Sequence, residues 1–257
     1  MKEYEFIDLS LPIVNGGAFR RPAQIEYMSH ITSAMELGKA YSLEPEDFPN
    51  GKYAGFEKIT FLTAHTGAHM DAPWHYGDNS GGERTKTIDE IPLEWCFSDG
   101  VVLDFSWKKA GEGISAQEMQ KELERIKYTL NPFDIVLIRT DTSRRYFGKP
   151  NWENMHPGVT SDATIWLADQ GIKVVGIDSW SWDRPHEFMV AEYKKGIKDE
   201  FWGAHYAALK REVIIMEWLT NIHLLPSSGF KLSVFPIKIQ GGSAGWIRAV
   251  AFVKKEG

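Results

Sequence analysis

Eleven residues constrain this chain more than any others: His65-Thr66-Gly67-Ala68-His69-Met70-Asp71-Ala72-Pro73-Trp74-His75. Three of its 8 histidines and one carboxylate fall within them, at offsets 0, 4, 6 and 10. Gly67 and Pro73 interrupt any helix here. In an extended segment, even offsets start all four side chains on one face. Three imidazoles and a carboxylate on one face suit a borderline divalent cation such as zinc. The alternative is a polar strand edge carrying scattered histidines.

The 257 residues could build one large domain or two small ones, with enough chain to bury a substantial core. The 43% hydrophobic and 25% charged fractions are ordinary for a globular protein. A net charge of -6 without a clustered basic tract argues against nucleic acid as a partner. Cys96 is the single cysteine, so an intrachain disulfide and a cysteine-rich zinc site are excluded. No apolar run approaches the ~20 residues that span a bilayer. Met1-Lys-Glu-Tyr-Glu-Phe6 lacks a signal pattern, and the expectation is a cytoplasmic protein with no membrane partner.

Strand-like runs are expected at Glu5 to Leu11, Lys58 to Thr63 and Val101 to Trp107. Two more, Asp134 to Arg139 and Lys173 to Asp178, read as buried on both faces. Ser115-Ala-Gln-Glu118 is a capping box for a helix reaching about Ile126. Thr160 opens a helix that Gly171 closes, and another covers roughly Glu200 to Lys210 before a strand at Val213 to Glu217. Two final strands are expected near Leu232 to Ile239 and Ile247 to Val253. Residues 15 to 55 are rich in turn signals, with room for one helix between Ser29 and Leu43. Strands and helices alternate in the middle, which is a mixed α/β pattern. No linker or repeat interrupts it, so a single domain over 1–257 is expected.

His30, His156 and His223 read best as surface or hydrogen-bonded histidines. His186 lies in an aromatic and charged loop, where contact with a substrate and a plain loop role are equally open. His205 leads into Val213-Ile-Ile-Met-Glu217, whose carboxylate sits in an otherwise apolar run. Burying that charge requires something positive beside it, and a metal ion would serve. A solvent-facing glutamate on an edge strand is the competing reading.

The pattern His-x-Gly-x-His-x-Asp-x-Pro-x-His resembles the signature of the cyclase family that includes bacterial kynurenine formamidases and isatin hydrolases. Asp8-Leu-Ser-Leu-Pro12, Asp134 to Thr140, Pro157 to Leu167, Val175 to Ser179 and Ala244 to Val250 resemble its further motifs, in the family's order. The resemblance implies a single-domain α/β fold of the swivelling β/β/α type. It implies that His65, His69 and Asp71 hold one metal, that Asp71 bridges to a second held by His205 and Glu217, and that His75 transfers protons. Two Zn(2+) per chain is the expected cofactor, with Mn(2+) possible, and a homodimer or homotetramer is the expected assembly. Ala68 replaces the usual threonine, Trp246-Ile247 replaces Pro-Val, and residues 20–55 and 188–204 are longer than usual. These departures bear on the substrate and leave the ligand set intact.

The chemistry implied is hydrolysis of a small aryl-formamide, amide or lactam by a metal-activated hydroxide, with His75 as proton shuttle. Trp74, Trp180, Trp182 and Phe19, with Trp202, are candidates for an apolar substrate wall. Two alternatives are a cyclase or dehydratase on a polyketide-like substrate and a catalytically silent metal-containing binding protein. Gly241-Gly-Ser243-Ala-Gly245 matches a nucleophile elbow, but a strand-like run follows it and no histidine occurs after His223. The glycines are read as a tight turn.

Overall fold

The computed structural model describes residues 3–16, 22–61 and 63–255. Internal packing divides the chain into a larger unit, Met1–Pro12 with Ala64–Gly257, and a smaller one, Ile13–Thr63. The larger unit is built on nine strands: β1 Tyr4–Asp8, β2 His69–Asp71, β3 Phe97–Asp104, β4 Ile135–Arg139, β5 Val174–Ile177, β6 Ile214–Glu217, β7 Phe230–Ser233, β8 Ala244–Trp246 and β9 Val250–Lys254. They form one sheet in the order β1-β9-β7-β3-β4-β5-β6-β2-β8. The central β3, β4, β5 and β6 run parallel. The flanking strands pair antiparallel.

Parallel neighbours need crossovers, and helices supply them. Helix α1 (Ala116–Ile126) joins β3 to β4, α2 (Ser161–Asp169) joins β4 to β5, and α3 (Gly203–Arg211) leads into β6. The expected capping box starts α1: the Ser115 amide donates to Glu118 Oε2 at 2.9 Å and the Glu118 amide to Ser115 Oγ at 3.4 Å. Met119 and Leu123 on its inner side enter the core.

The period-2 alternation of the central strands divides the core in two. Ile135, Leu137, Val174, Ile214 and Met216 join a layer completed by Leu9, just past β1, and by Leu232 and Ala251 of β7 and β9. Val136, Ile138, Val175, Ile177 and Ile215 point the other way, onto Met119, Leu167, Ala204 and Ala208 of the helices. Burial on both faces is why these strands read as unbroken apolar runs.

The smaller unit contains the hairpin of Gln24–Met28 with Phe56–Thr60 and the helix His30–Tyr41. Ser29 caps that helix, accepting from the Thr32 amide at 3.1 Å. The strand expected at Lys58 to Thr63 is thus shifted to Phe56–Thr60 and pairs with Gln24–Met28. The strand expected at Leu232 to Ile239 stops at Ser233, shortly before Pro236, whose ring nitrogen offers no ladder donor.

One glycine joins this architecture to the site. A Cβ on Gly158 would lie 2.1 Å from the Arg184 nitrogen and 2.2 Å from the Asp183 carbonyl carbon. The Val159 amide donates to the Trp182 carbonyl at 2.7 Å in the same contact. Backbone meets backbone here, so no rotamer change can relieve a clash. Gly158→Ala is expected to destabilise the fold by at least about 1–3 kcal/mol, the usual scale of overpacking, in a denaturant titration. A wild-type midpoint would contradict the close approach.

Candidate metal centre

Strand register assembles the first part of the centre. β2 lies between β6 and β8, with Glu217 opposite His69 and Ile215 opposite Asp71. His69 and Asp71, two residues apart, share a face, and the cross-strand partner Glu217 faces the same space. Met70 points to the opposite face and is buried in the core. The extended conformation covers only His69–Asp71 of the eleven-residue motif. His65 precedes it in a turn where Gly67 has φ 86°, and His75 follows in the helical turn Pro73–Tyr76. The bends required by Gly67 and Pro73 therefore replace the single extended face, and the side chains still converge. α3 brings His205 from across the unit.

His65 Nδ1 lies 2.7 Å from Asp71 Oδ1, and His69 Nε2 lies 3.2 Å from the same oxygen. His69 Nε2 is 3.7 Å from Glu217 Oε2. His205 Nε2 is 3.8 Å from Asp71 Oδ2 and 3.6 Å from Glu217 Oε1. The rings of His65 and His75 are 4.1 Å apart. Two donor groups result, His65 with Asp71 and His75, and His69 with Asp71 and Glu217. Asp71 belongs to both. The expected division put His65 with His69 and gave His75 proton transfer; the close approach of His75 to Asp71 leaves it directly beside the proposed ligands.

The outer atoms orient these donors. His69 Nδ1 donates to the Gly67 carbonyl at 2.8 Å, so the neutral ring presents the Nε2 lone pair to the centre. His205 Nδ1 donates to Asp183 Oδ2, with the same consequence for its Nε2. Glu217 Oε1 accepts the Trp182 amide at 2.8 Å. His69 Nε2 and both Asp71 oxygens are buried without an aligned hydrogen bond, although they lie close to other polar atoms. Donor atoms that converge without satisfying one another fit a cation between them. The nitrogen and carboxylate set matches the preferences of a divalent metal.

The charge balance agrees. Burial works against ionised Asp71, but His75, His69 and His65 outweigh it and hold its pKa well below the usual range. Glu217 is pushed up to about 7 by burial and by repulsion from Asp71. Burial disfavours charged His205, yet Asp183 and Asp71 prevail and raise it to about 10. Burial and the neighbouring imidazoles lower His75 to about 4 against the pull of Asp71, leaving it neutral near pH 7. Without a metal, protons on imidazoles answer the acids; a cation would take that role.

Of the expected wall residues, Trp182 is corrected: its indole is fully buried and donates to Thr164 Oγ1 at 2.9 Å, so it is core packing. Trp180 packs on Trp218 and Trp152, with ring centroids 5.0 and 5.8 Å away. Trp74 is 38% exposed. Phe19 lies outside the described residues. Trp202 has the most direct position, stacked on His205 at 4.9 Å and edge-on to His75 at 5.5 Å.

The motif missed Asp183, Tyr76 and Ser243. Tyr76 Oη donates to the Asp71 carbonyl at 3.2 Å and accepts the Ile215 amide at 3.1 Å, tying β2 to β6. Ser243 Oγ is 3.1 Å from His65 Nε2. The run after Ser243 is strand β8, so the helix of a nucleophile elbow is absent. An acid in an aromatic loop was the available signal for Asp183, but only the fold puts it beside His205.

Residues 7–184, more than half of the chain, match the family model described as putative cyclase, and the chain belongs to that family. It is 28% identical over 189 residues to a kynurenine formamidase of Erythrobacter litoralis, covering 74% of this chain and 73% of that one. It is 24% identical over 251 residues to a kynurenine formamidase of Bacillus thuringiensis, covering 97% and 98%. The fold matches a crystal structure of an isatin hydrolase bound to the product analogue thioisatinate, with TM-score 0.77, 21% identity, and 99% and 94% of the two chains covered. The mixed α/β architecture is therefore that of the cyclase family.

Glu217→Ala is expected to lower the metal content of the purified protein, read by elemental analysis. Unchanged stoichiometry would remove Glu217 from the ligand set.

Proposed function

We propose that this chain is a metal-dependent hydrolase that cleaves the carbon–nitrogen bond of a small aryl-formamide, amide or lactam. The observation that carries this reading is the pair of donor groups sharing Asp71, set around buried atoms that lack aligned hydrogen bonds. Similarity to kynurenine formamidases along most of the chain supports the substrate class. Asp71, shared by both groups, supports two ions per chain, and the histidine-rich set supports zinc over manganese.

His65, His69, Asp71, His205 and Glu217 would hold the metal. A bound divalent cation supplies Lewis acidity, polarising a carbonyl and making water more acidic. Asp71 keeps its negative charge throughout, so it does not compete for the proton in transit. His75, neutral near pH 7, accepts the proton lost by the attacking water. The same imidazole then returns that proton to the departing nitrogen, so the carbon–nitrogen bond breaks to a neutral amine and an acid. Trp202 borders His75 and His205 and offers an apolar wall to a flat substrate. A neutral histidine facing the ligand group favours this reading over a silent binding protein.

A second reading has one observation in its favour. Ser243 Oγ, His65 and Asp71 form a serine–histidine–aspartate chain, with steps of 3.1 and 2.7 Å. Such a chain needs neither Glu217 nor the other imidazoles, whereas a metal centre uses all of them.

Homo-oligomerisation is part of the proposal. Tyr27 and Tyr41 are each 71% exposed in the smaller unit, alongside exposed Ile31 and Met35, which suits burial against a second copy. Cys96 is buried and free, in keeping with a reducing cytoplasm.

His75→Ala is expected to lose at least ~100-fold in kcat on an N-formyl-aryl amide while keeping its metal. Loss of metal from that variant would make His75 a ligand, and wild-type turnover would remove it from the reaction. Chelation is expected to abolish turnover, and Ser243→Ala to leave most of it. The reverse pattern would favour the serine reading.

A further inference from the structure

Trp182 and Asp183 are consecutive residues that hold two different donors of the centre. The Trp182 amide donates to Glu217 Oε1 at 2.8 Å. Asp183 Oδ2 accepts from His205 Nδ1 and from the His205 amide at 3.0 Å, and its Oδ1 accepts the Ala204 amide at 2.9 Å. The Asp183 side chain is 2% exposed. The segment is anchored on both sides: Trp182 donates to Thr164, and Arg184 makes two hydrogen bonds to Glu192 at 2.9 and 2.5 Å. Gly158 leaves room for its backbone.

We propose that Asp183 is a positioning residue that fixes the His205 tautomer and thereby sets the cation affinity of the His205–Glu217 side of the centre. The inference rests on reading the cluster as a divalent-cation site. An imidazole can carry its proton on either nitrogen, and only the Nδ1–H form aims a lone pair from Nε2 toward Asp71 and Glu217. The Asp183 carboxylate selects that form and makes the ring a more basic ligand. Two amides in the first turn of α3 stabilise its own charge. A capping role alone would not require that charge, because asparagine caps helices as well as aspartate.

The test compares wild type with Asp183→Asn, both stripped of metal. Zn(2+) binding is followed by calorimetry, Co(2+) binding by its visible spectrum, and apo stability by melting. The variant is expected to fold but to melt below wild type without metal, since His205 loses a charged partner, to bind Zn(2+) ~10–100-fold more weakly, and to give an altered Co(2+) spectrum. Equal affinity and an identical spectrum would overturn the inference while leaving the cation reading intact. Wild type that binds neither metal would overturn both. Should the variant fail to fold, 15N shifts of the His205 ring in Zn(2+)-loaded wild type decide: a proton on Nδ1 with Nε2 deprotonated supports the inference, and a proton on Nε2 overturns it.

Discussion

Asp71 and Glu217 are buried among the same imidazoles, and the rest of the centre follows from how that negative charge is met. Glu217 rises to about 7 partly because Asp71 repels it, while His205 rises to about 10 because acids surround it. Two upward shifts, one on an acid and one on an imidazole, mark a cluster short of positive charge. Removing one acid from a buried set of this kind is costly because its partners lose their answer. A divalent ion resolves the imbalance without moving the backbone, since the donor atoms already converge.

The sheet explains how distant segments reach one point. β6 is the last of four parallel strands, and Glu217 ends it at its carboxyl edge. Ligands of open α/β sheets gather at that edge. Antiparallel β2 enters beside it with His69 opposite Glu217, and α3 crosses with His205. Tyr76 bridges β2 and β6 through its hydroxyl, so the two strands that supply carboxylates are held in register.

Much of this was legible in the sequence. The capping box at Ser115, the unbroken apolar run of Ile135–Arg139 and the helix beginning after Thr160 are local patterns with local causes, and they stand where expected. The even spacing of the His65–His75 motif pointed to residues that the fold does bring together, but through a different geometry. Gly67 and Pro73 bend the chain, so only His69 and Asp71 keep the shared extended face. Pairing of His205 with Glu217 depends on a helix-to-strand crossover, and spacing alone could not distinguish a buried carboxylate from a solvated one. Trp182 misled because tryptophan near a site serves packing as readily as binding; its backbone amide, which sequence cannot single out, is what meets Glu217. Ser243 was set aside for want of a later histidine, yet the sheet brings it to an earlier one, His65.

The aromatic residues finish the environment. Trp202 stacks on His205 and borders His75, and Trp218, next to Glu217 in the chain, packs with Trp152 and Trp180. Low polarity around a charged centre strengthens each electrostatic interaction within it. The central claim is that this charge cluster holds divalent cations shared through Asp71. Anomalous diffraction from crystals grown with Zn(2+) tests it most directly. The account predicts anomalous peaks within coordination distance of Asp71, with His69 and Glu217 at one of them. Crystals in which these side chains hydrogen-bond to one another, with no anomalous density among them, would contradict it.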